Sequence, residues 1–335
     1  MTGKVALVDK WGAYLGVKDG RFQLRVKEGR EERVVWDLAP VELDSIVFVV
    51  PGASISASAI ELASNFGIDL VFFNGSKPLA RLLQASYGSA LETWLKQVEL
   101  AADASKRLQL ARLFVEGKVY NQRQVLMEYL RRFRAAGKAS SVLSEAVDEL
   151  DKARSLLAKA DSVKRVVNVE AHAAKYYWGS VSTLLPQSLG FKRRTPKSRI
   201  PPGVKPDAFN IALNVGYGAL KKEVWRAVFM ANLNPYVGFL HEQKSGKMTL
   251  VYDLMEEFRP VVVDRPLIVL AKQKPDVVKK LEDSELDAIR EVWRTVVNQL
   301  YKGEQPYRFV VVEQARLLAR HIRGTDTYKP FKSRW

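Results

Sequence analysis

Residues 232–260 read NLNPYVGFLHEQKSGKMTLVYDLMEEFRP. One histidine, His241, precedes a short turn of Lys, Ser and Gly, and the segment after that turn has the periodicity of a helix with one buried side. The apolar residues of that helix are Val251, Leu254, Met255 and Phe258. Three carboxylates share its other side: Asp253, Glu256 and Glu257. This stretch therefore predicts either a solvated acidic helix face or, if His241 folds back onto the acids, a metal site.

The residue types decide which metal chemistry is possible here. A zinc-protease motif H-E-x-x-H is excluded, because Ser245 stands four residues after His241. One imidazole with two or three carboxylate oxygens suits Mn²⁺ or Mg²⁺. Such an ion would polarise a phosphate oxygen and activate a hydroxyl or water for in-line attack. We expect Lys244, Lys247 and Arg259 to lie close enough to neutralise phosphates.

A further carboxylate comes from far upstream. Glu170 falls in the apolar stripe of a helix that is predicted to open near Asp161. A carboxylate in such a stripe is costly unless a cation or a donor meets it. A lysine or arginine and a metal ion both satisfy that need. His172 points about 200° away from Glu170 around the helix and is predicted to be a surface residue.

The charge is distributed unevenly along the chain. Lys and Arg number 53 against 37 Asp and Glu, which gives a net charge of +16. Residues 1–86 contain 10 basic and 10 acidic residues, whereas residues 87–335 contain 43 and 27. Lysine enrichment of a thermophilic surface is normally matched by glutamate. The second part is therefore predicted to bind a polyanion such as nucleic acid.

One segment concentrates this basic charge. Residues 191–199 read FKRRTPKSR, which is either a disordered loop or a phosphate clamp near the site. Tyr217, in the middle of a helix predicted from Asp207 to about Met230, is expected to help position the substrate. The basic residues of the segment are Lys192, Arg193, Arg194, Lys197 and Arg199.

The chain lacks cysteine, which excludes disulfides, thiolate nucleophiles and thiolate metal sites. Any metal must then be held by His and carboxylates.

The first residues of the chain lack a signal-peptide core, and no apolar run approaches the roughly 20 residues that span a bilayer. We expect a soluble, cytoplasmic protein.

The fold class is predicted to be α+β with two domains. Residues 1–85 read as short strands with one helix, including an Asp19-Gly20 hairpin turn. This β-rich domain has no nucleophile elbow or phosphate-binding glycine loop, so we interpret it as an interaction or dimerisation module. Residues 86–335 read as a helical catalytic and DNA-binding domain. Its first two helices are predicted at about 91–115 and 119–136, with Gly117 as the break between them.

Several segments together resemble a known family, the CRISPR-associated integrase of spacer acquisition (the "Cas-one" family). The resemblance covers nearly all of the chain, and its last two segments are highly specific. The segments are SISASAIELASNFGIDLVFF (54–73), GKVYNQRQVL (117–126), VNVEAHAAKYYWGS (167–180), DAFNIALNVGYGAL (207–220), PYVGFLHE (235–242) and LVYDLMEEFRPVVVDRP (250–266).

The resemblance implies metal ligands at Glu170, His241 and Glu256, with Asp253 adjacent and also required. It implies a two-fold dimer through the N-terminal domain and a small ferredoxin-like CRISPR-associated partner protein. The implied reaction joins the 3′-hydroxyl ends of captured double-stranded foreign DNA to the CRISPR repeat by transesterification. Within this reading, Glu257 is predicted to be a surface residue.

Two other functions stay open from the sequence. A metal-dependent, structure-selective DNA-repair nuclease would use the same ligands with water as the nucleophile. A noncatalytic DNA-binding scaffold would need only the positive charge.

Overall fold

The computed structural model describes residues 4–29, 31–75, 77–82, 89–196, 200–201, 203–304 and 306–334. The chain divides into two compact units, Met1–Lys96 and Gln97–Trp335. The predicted domain boundary after residue 85 lies outside the described residues. The β-rich first part and the helical second part confirm the predicted α+β class.

The first unit contains two four-stranded sheets. One has the order β1-β5-β7-β8, in which β1, β5 and β7 are parallel and β8 is antiparallel to β7. The other has the order β4-β3-β2-β6. The strands are β1 (Lys4–Val8), β2 (Tyr14–Lys18), β3 (Arg21–Glu28), β4 (Glu31–Leu38), β5 (Leu43–Phe48), β6 (Ser54–Ile55), β7 (Asp69–Asn74) and β8 (Lys77–Leu82).

Local sequence signals account for most of this unit. Asp19 and Gly20 both adopt positive φ, at 52° and 71°, and join β2 to β3 as the predicted hairpin. Helix α1 (Ala57–Asn65) starts at Ser56, whose hydroxyl accepts from the backbone N–H of Ala59. Apolar side chains from both sheets and α1 form one core.

The second unit is helical and has its own continuous core. Within the described ranges, no helix is long and apolar enough to cross a membrane. The helices are α2 (Ser89–Ala102), whose first turns belong to the first unit, α3 (Ala104–Ala135), α4 (Ser141–Ala158), α5 (Val163–Leu184), α6 (Ala208–Met230), α7 (Thr249–Phe258), α8 (Arg265–Gln273), α9 (Pro275–Lys279), α10 (Leu286–Tyr301) and α11 (Tyr307–Arg323).

The predicted helix break at Gly117 is wrong. The break lies at Asp103, whose carboxylate accepts from the N–H groups of Ser105 and Lys106 and caps α3. Gly117 lies in the middle of α3, where a Cβ would come within 2.9 Å of the Glu257 Cγ and 3.0 Å of the Pro330 Cβ. This glycine therefore serves a close approach between chain segments rather than a helix end.

Helix α7 runs into α8 through a π-helical segment, Arg259–Asp264. Gly216 in α6 allows this segment to pack closely, because a Cβ there would lie 2.6 Å from the Val263 Cγ1. The wider π turn is a feature that is frequent at functional sites. Its two end residues both contact Tyr217: the Arg259 guanidinium lies over the ring, and Asp264 accepts a hydrogen bond from the hydroxyl.

Candidate active site

Asp253 on α7 organises the loop that carries His241. Its Oδ2 accepts from the backbone N–H groups of Phe239 at 2.6 Å and Leu240 at 2.9 Å. Its Oδ1 accepts from the backbone N–H of His241 at 3.1 Å and lies 2.6 Å from the His241 Nδ1. Gly238 makes this approach possible, because a Cβ there would lie 2.6 Å from the Asp253 Oδ2. His241 thus folds back onto the acidic helix.

The contact with Asp253 affects both the pKa and the orientation of the His241 ring. Burial lowers the pKa of the imidazole, but the hydrogen bond and the charge of Asp253 outweigh burial, and the pKa is raised overall. Because Nδ1 is committed to the carboxylate, Nε2 is the nitrogen left to bind a ligand. A carboxylate that orients a histidine in this way is typical of metal-binding histidines.

Glu170 on α5 and Glu256 on α7 meet at one ammonium group. The Nζ of Lys118, on α3, contacts the Glu170 Oε1 and lies 2.6 Å from the Glu256 Oε2. The second contact is an ion pair, and the positive charge of Lys118 favours the ionised form of Glu256. The Glu256 Oε1 lies 3.2 Å from the Arg259 Nη2. Two carboxylates and two cations therefore form one cluster.

The acids of α7 are all buried. Asp253, Glu256 and Glu257 expose at most 2% of their surface, so the solvated-face interpretation is wrong. The pKa of Glu256 is lowered, because the charges of Arg259 and Lys118 outweigh the cost of burial. Helix α7 packs on α3 and α6, and each of its acids meets its own partners.

Glu257 is not a surface residue, contrary to the prediction. The Tyr328 hydroxyl donates to its Oε1, and the Phe331 N–H donates to its Oε2 at 2.7 Å. Burial raises the pKa of Glu257 to about 8 despite these two donors. The side-chain amide nitrogen of Asn121, on α3, donates to the backbone carbonyl oxygens of Glu257 and Phe331. The aromatic tail therefore packs against the helix that bears the candidate site.

A cavity of about 1070 Å³ lies beside the cluster of Glu170 and Lys118. Its charged walls are mostly basic, with two acids, Glu170 and Asp264. The basic residues are Lys118, Lys175, Lys192, Arg193, Arg194, Lys221 and Arg259. A cavity of this composition suits a phosphate-bearing ligand.

Tyr217 and Asp264 line this cavity and contact each other. Its hydroxyl donates to the Asp264 Oδ1 at 2.6 Å, and the Tyr177 hydroxyl donates to Oδ2 at 3.1 Å. The guanidinium groups of Arg194 and Arg259 lie 5.3 and 5.0 Å from the centre of the Tyr217 ring. Burial raises the pKa of Asp264 to about 7 even though both hydroxyls and nearby cations favour ionisation.

The other residues predicted to bind DNA divide into three groups. Lys192, Arg193, Arg194, Tyr217 and Arg259 line the cavity. Lys244 and Lys247 are exposed in the turn after His241 and are not among the lining residues. Lys197 and Arg199 lie outside the described residues.

Sequence reasoning missed Lys118 and Asp264. Lys118 lies in the GKVYNQRQVL segment, but nothing in that segment shows that its ammonium group contacts carboxylates from two other helices. That contact depends on the packing of α3 against α5 and α7. Asp264 follows the predicted acidic helix, and no local sequence pattern marks it as a residue of the site. His172 is half-exposed, as predicted, and contacts Glu149 at 3.0 Å.

The donor set suits a hard divalent cation. As the side chains stand, no group of three His, Asp or Glu within the described ranges is close enough to hold one. The ammonium of Lys118 lies between Glu170 and Glu256. Two carboxylates that share one cation, with an imidazole oriented by Asp253, fit the chemistry of such a site.

Comparisons with known proteins agree on one family. The family model described as "CRISPR associated protein Cas1" matches residues 6–286. A protein named "CRISPR-associated endonuclease Cas1 1", from Saccharolobus solfataricus, is 40% identical over 316 residues, which cover 92% of this chain and 84% of the relative.

Solved structures share the fold across the chain. A casposase bound to its integration product has a TM-score of 0.79 at 23% identity, covering 99% of this chain and all of that one. A chain of a partial Cas6-RT-Cas1–Cas2 complex has a TM-score of 0.71 at 16% identity, covering all of both chains. The length of the family match and the 40% identity together show that this chain belongs to the Cas1 family of CRISPR-associated endonucleases.

Proposed function

We propose that this chain is a metal-dependent DNA integrase and endonuclease of CRISPR adaptation. The observation that carries the proposal is the convergence of Glu170 and Glu256 on one cation, with His241 oriented by Asp253, beside a basic cavity. Family membership supports a nuclease, and the donor set supports Mn²⁺ or Mg²⁺.

The proposed reaction exchanges one phosphodiester bond for another. The 3′-hydroxyl oxygen of a captured DNA fragment bonds to phosphorus at the edge of a CRISPR repeat, and the bond to the departing 3′-oxygen breaks. The proton of the attacking hydroxyl ends on the departing oxygen. Since one bond forms as one breaks, no external energy source is needed.

Each residue of the site has a part in this proposal. Glu170, His241 and Glu256 would hold Mn²⁺ or Mg²⁺, which when bound supplies Lewis acidity at the scissile phosphate. Asp253 keeps the Nδ1 of His241 occupied, which leaves Nε2 as the nitrogen that would bind the metal. Arg259, whose guanidinium contacts Glu256, carries positive charge at the cavity wall.

The DNA and protein partners follow from the same proposal. The basic walls of the cavity would neutralise phosphates of the fragment and the repeat, which makes binding strongly dependent on salt. We also propose a two-fold dimer through the β-rich N-terminal unit and assembly with a small ferredoxin-like CRISPR-associated protein. The fold shared with the Cas1-containing complex supports this assembly.

The test is a strand-joining assay with purified protein, its partner protein, a short duplex with free 3′-hydroxyl ends and a plasmid that carries the repeat. We expect joining in Mn²⁺ or Mg²⁺ and none in EDTA. Glu170→Gln should abolish joining while the far-ultraviolet circular dichroism stays unchanged. Glu116→Gln is the matched control, because Glu116 lies on α3, pairs with Lys332 and is outside the site.

The products separate the alternatives. Metal-dependent cleavage without joining would support a DNA-repair nuclease instead. Unchanged activity of Glu170→Gln, or full activity in EDTA, would refute the metal site. DNA binding with neither cleavage nor joining under any condition would support a scaffold.

A further inference from the structure

Lys118 holds an unusual position for a lysine. Only 9% of its surface is exposed, and its ammonium group lies between carboxylates from two other helices. It thereby links α3 to α5 through Glu170 and to α7 through Glu256. A buried lysine is stable only if anions or acceptors compensate its charge. The two carboxylates provide that compensation.

The cluster is electrically balanced as it stands. Glu170 and Glu256 supply two negative charges, and Lys118 and Arg259 supply two positive charges. A divalent cation added among them would leave an excess of positive charge in a buried site, which is unfavourable. Withdrawal of one of the two cationic side chains would reduce that excess from two charges to one and would therefore favour binding of the ion.

Lys118 is the side chain that can withdraw. It contacts one oxygen of each carboxylate, the Glu170 Oε1 and the Glu256 Oε2, and a carboxylate oxygen has a second lone pair that another cation can approach. A lysine side chain carries a compact charge on a flexible stem, unlike the planar guanidinium of Arg259, which in addition stacks over the Tyr217 ring. Lys118 also borders the 1070 Å³ cavity, which offers space for its ammonium group.

We propose that Lys118 is the resident counter-cation of the Glu170–Glu256 pair, which holds the two carboxylates together in the metal-free protein and competes with the divalent cation for them. This inference rests on the proposed function, because it assumes that the pair binds metal. It assigns Lys118 a positioning role. The displaced ammonium would turn toward the cavity, where a DNA phosphate can accept it.

The experiment measures Mn²⁺ binding directly, without DNA or partner. Lys118→Met keeps the length of the side chain and removes the charge. We expect isothermal titration calorimetry to give an Mn²⁺ affinity at least about tenfold higher than for the natural protein, because a competing charge is gone. In EDTA the variant should melt at a lower temperature, and Mn²⁺ should raise its melting temperature by more than it raises that of the natural protein.

Two further variants make the result specific. Lys175→Met removes a lysine from the same cavity, one that lies over the Tyr176 ring, and should change neither Mn²⁺ affinity nor melting in EDTA. If Lys118→Met fails to fold, Lys118→Gln replaces it, because glutamine retains a hydrogen-bond donor for the carboxylates. We expect Lys118→Gln also to bind Mn²⁺ more tightly than the natural protein.

The outcomes separate the inference from the proposed function. If Glu170→Gln weakens Mn²⁺ binding but loss of the Lys118 charge does not strengthen it, Lys118 is not a competitor and the inference is overturned while the metal site stands. If Mn²⁺ binds neither the natural protein nor the Lys118 variants, both fall. Tighter binding in the Lys118 variants, abolished by adding Glu170→Gln, supports both.

Discussion

Gly117→Ala should destabilise the helical unit, although alanine is the better helix former. At a helix position where the added methyl group meets no other atoms, the change from glycine to alanine raises the free energy of unfolding by about 0.5–1 kcal/mol. Here the added methyl would lie 2.9 Å from the Glu257 Cγ and 3.0 Å from the Pro330 Cβ. Glu257 cannot withdraw freely, because it accepts from the Tyr328 hydroxyl and the Phe331 N–H.

The crowding decides the sign of this effect. Forcing a methyl into a packed contact costs about 1–3 kcal/mol. The net result is a loss of about 1 kcal/mol, which for a unit of this size corresponds to a decrease in Tm of roughly 2–4 °C. Because Glu257 adjoins Glu256, we also expect slower strand joining.

Gly179→Ala is the matched control in differential scanning calorimetry. Gly179 lies inside α5, and its added Cβ would meet nothing within 4 Å, so this variant should gain up to about 1 kcal/mol and melt higher. A Gly117→Ala protein that melts at or above the natural temperature would refute the reasoning, since the close approach of Glu257 and Pro330 would then not constrain α3.

Two further perturbations test the buried carboxylates. The pKa of Asp264 is raised from 3.8 to about 7, so the folded protein keeps a proton that the unfolded chain releases. Asp264 should therefore lower the free energy of unfolding by at most about 4 kcal/mol as the pH rises from about 4 to about 7. Glu257, whose pKa is raised to about 8, should continue that decrease up to about pH 8. Asp264→Asn should make the decrease in the free energy of urea unfolding between about pH 4 and about pH 7 smaller while leaving the contribution of Glu257, and an unchanged profile would contradict the raised pKa of Asp264. Asp253→Asn should lower the free energy of unfolding by about 2–3 kcal/mol, because the amide nitrogen would face backbone N–H groups that donate to the natural carboxylate. Equal urea midpoints for the variant and the natural protein would rule out Asp253 as the support of the His241 loop.

Local patterns were sufficient for the elements that depend on neighbouring residues. The Asp19-Gly20 hairpin follows from the positive φ that both positions need, and α6 begins at its predicted cap, Asp207. The apolar pattern around Glu170 predicted a carboxylate that needs a cation or a donor, and the ammonium group of Lys118 contacts it. These features are encoded within a few residues of chain.

The features that the sequence concealed all depend on distant contacts. Helix α7 has the periodicity of a surface helix, yet its polar side is covered by α3 and by the tail, so Glu257 is buried against Tyr328. Periodicity reports which side is apolar and not whether the other side meets solvent. The prediction of a helix end at Gly117 fails for the same reason, because a glycine at a close approach and a glycine at a helix end look alike in sequence.

Because Asp253 holds His241 in place, the position of His241 does not depend on the turn at residues 242–247. All four contacts of Asp253 fall on residues 239–241, before the turn begins. Residues 242–247 are exposed, and their described polar contacts, such as Lys244 with Glu242, are local. Lengthening an exposed loop of this kind costs little free energy. The turn is thus a place where a short peptide tag or a fluorophore can be inserted to observe the protein on DNA, with His241 still anchored to the helix that carries Glu256.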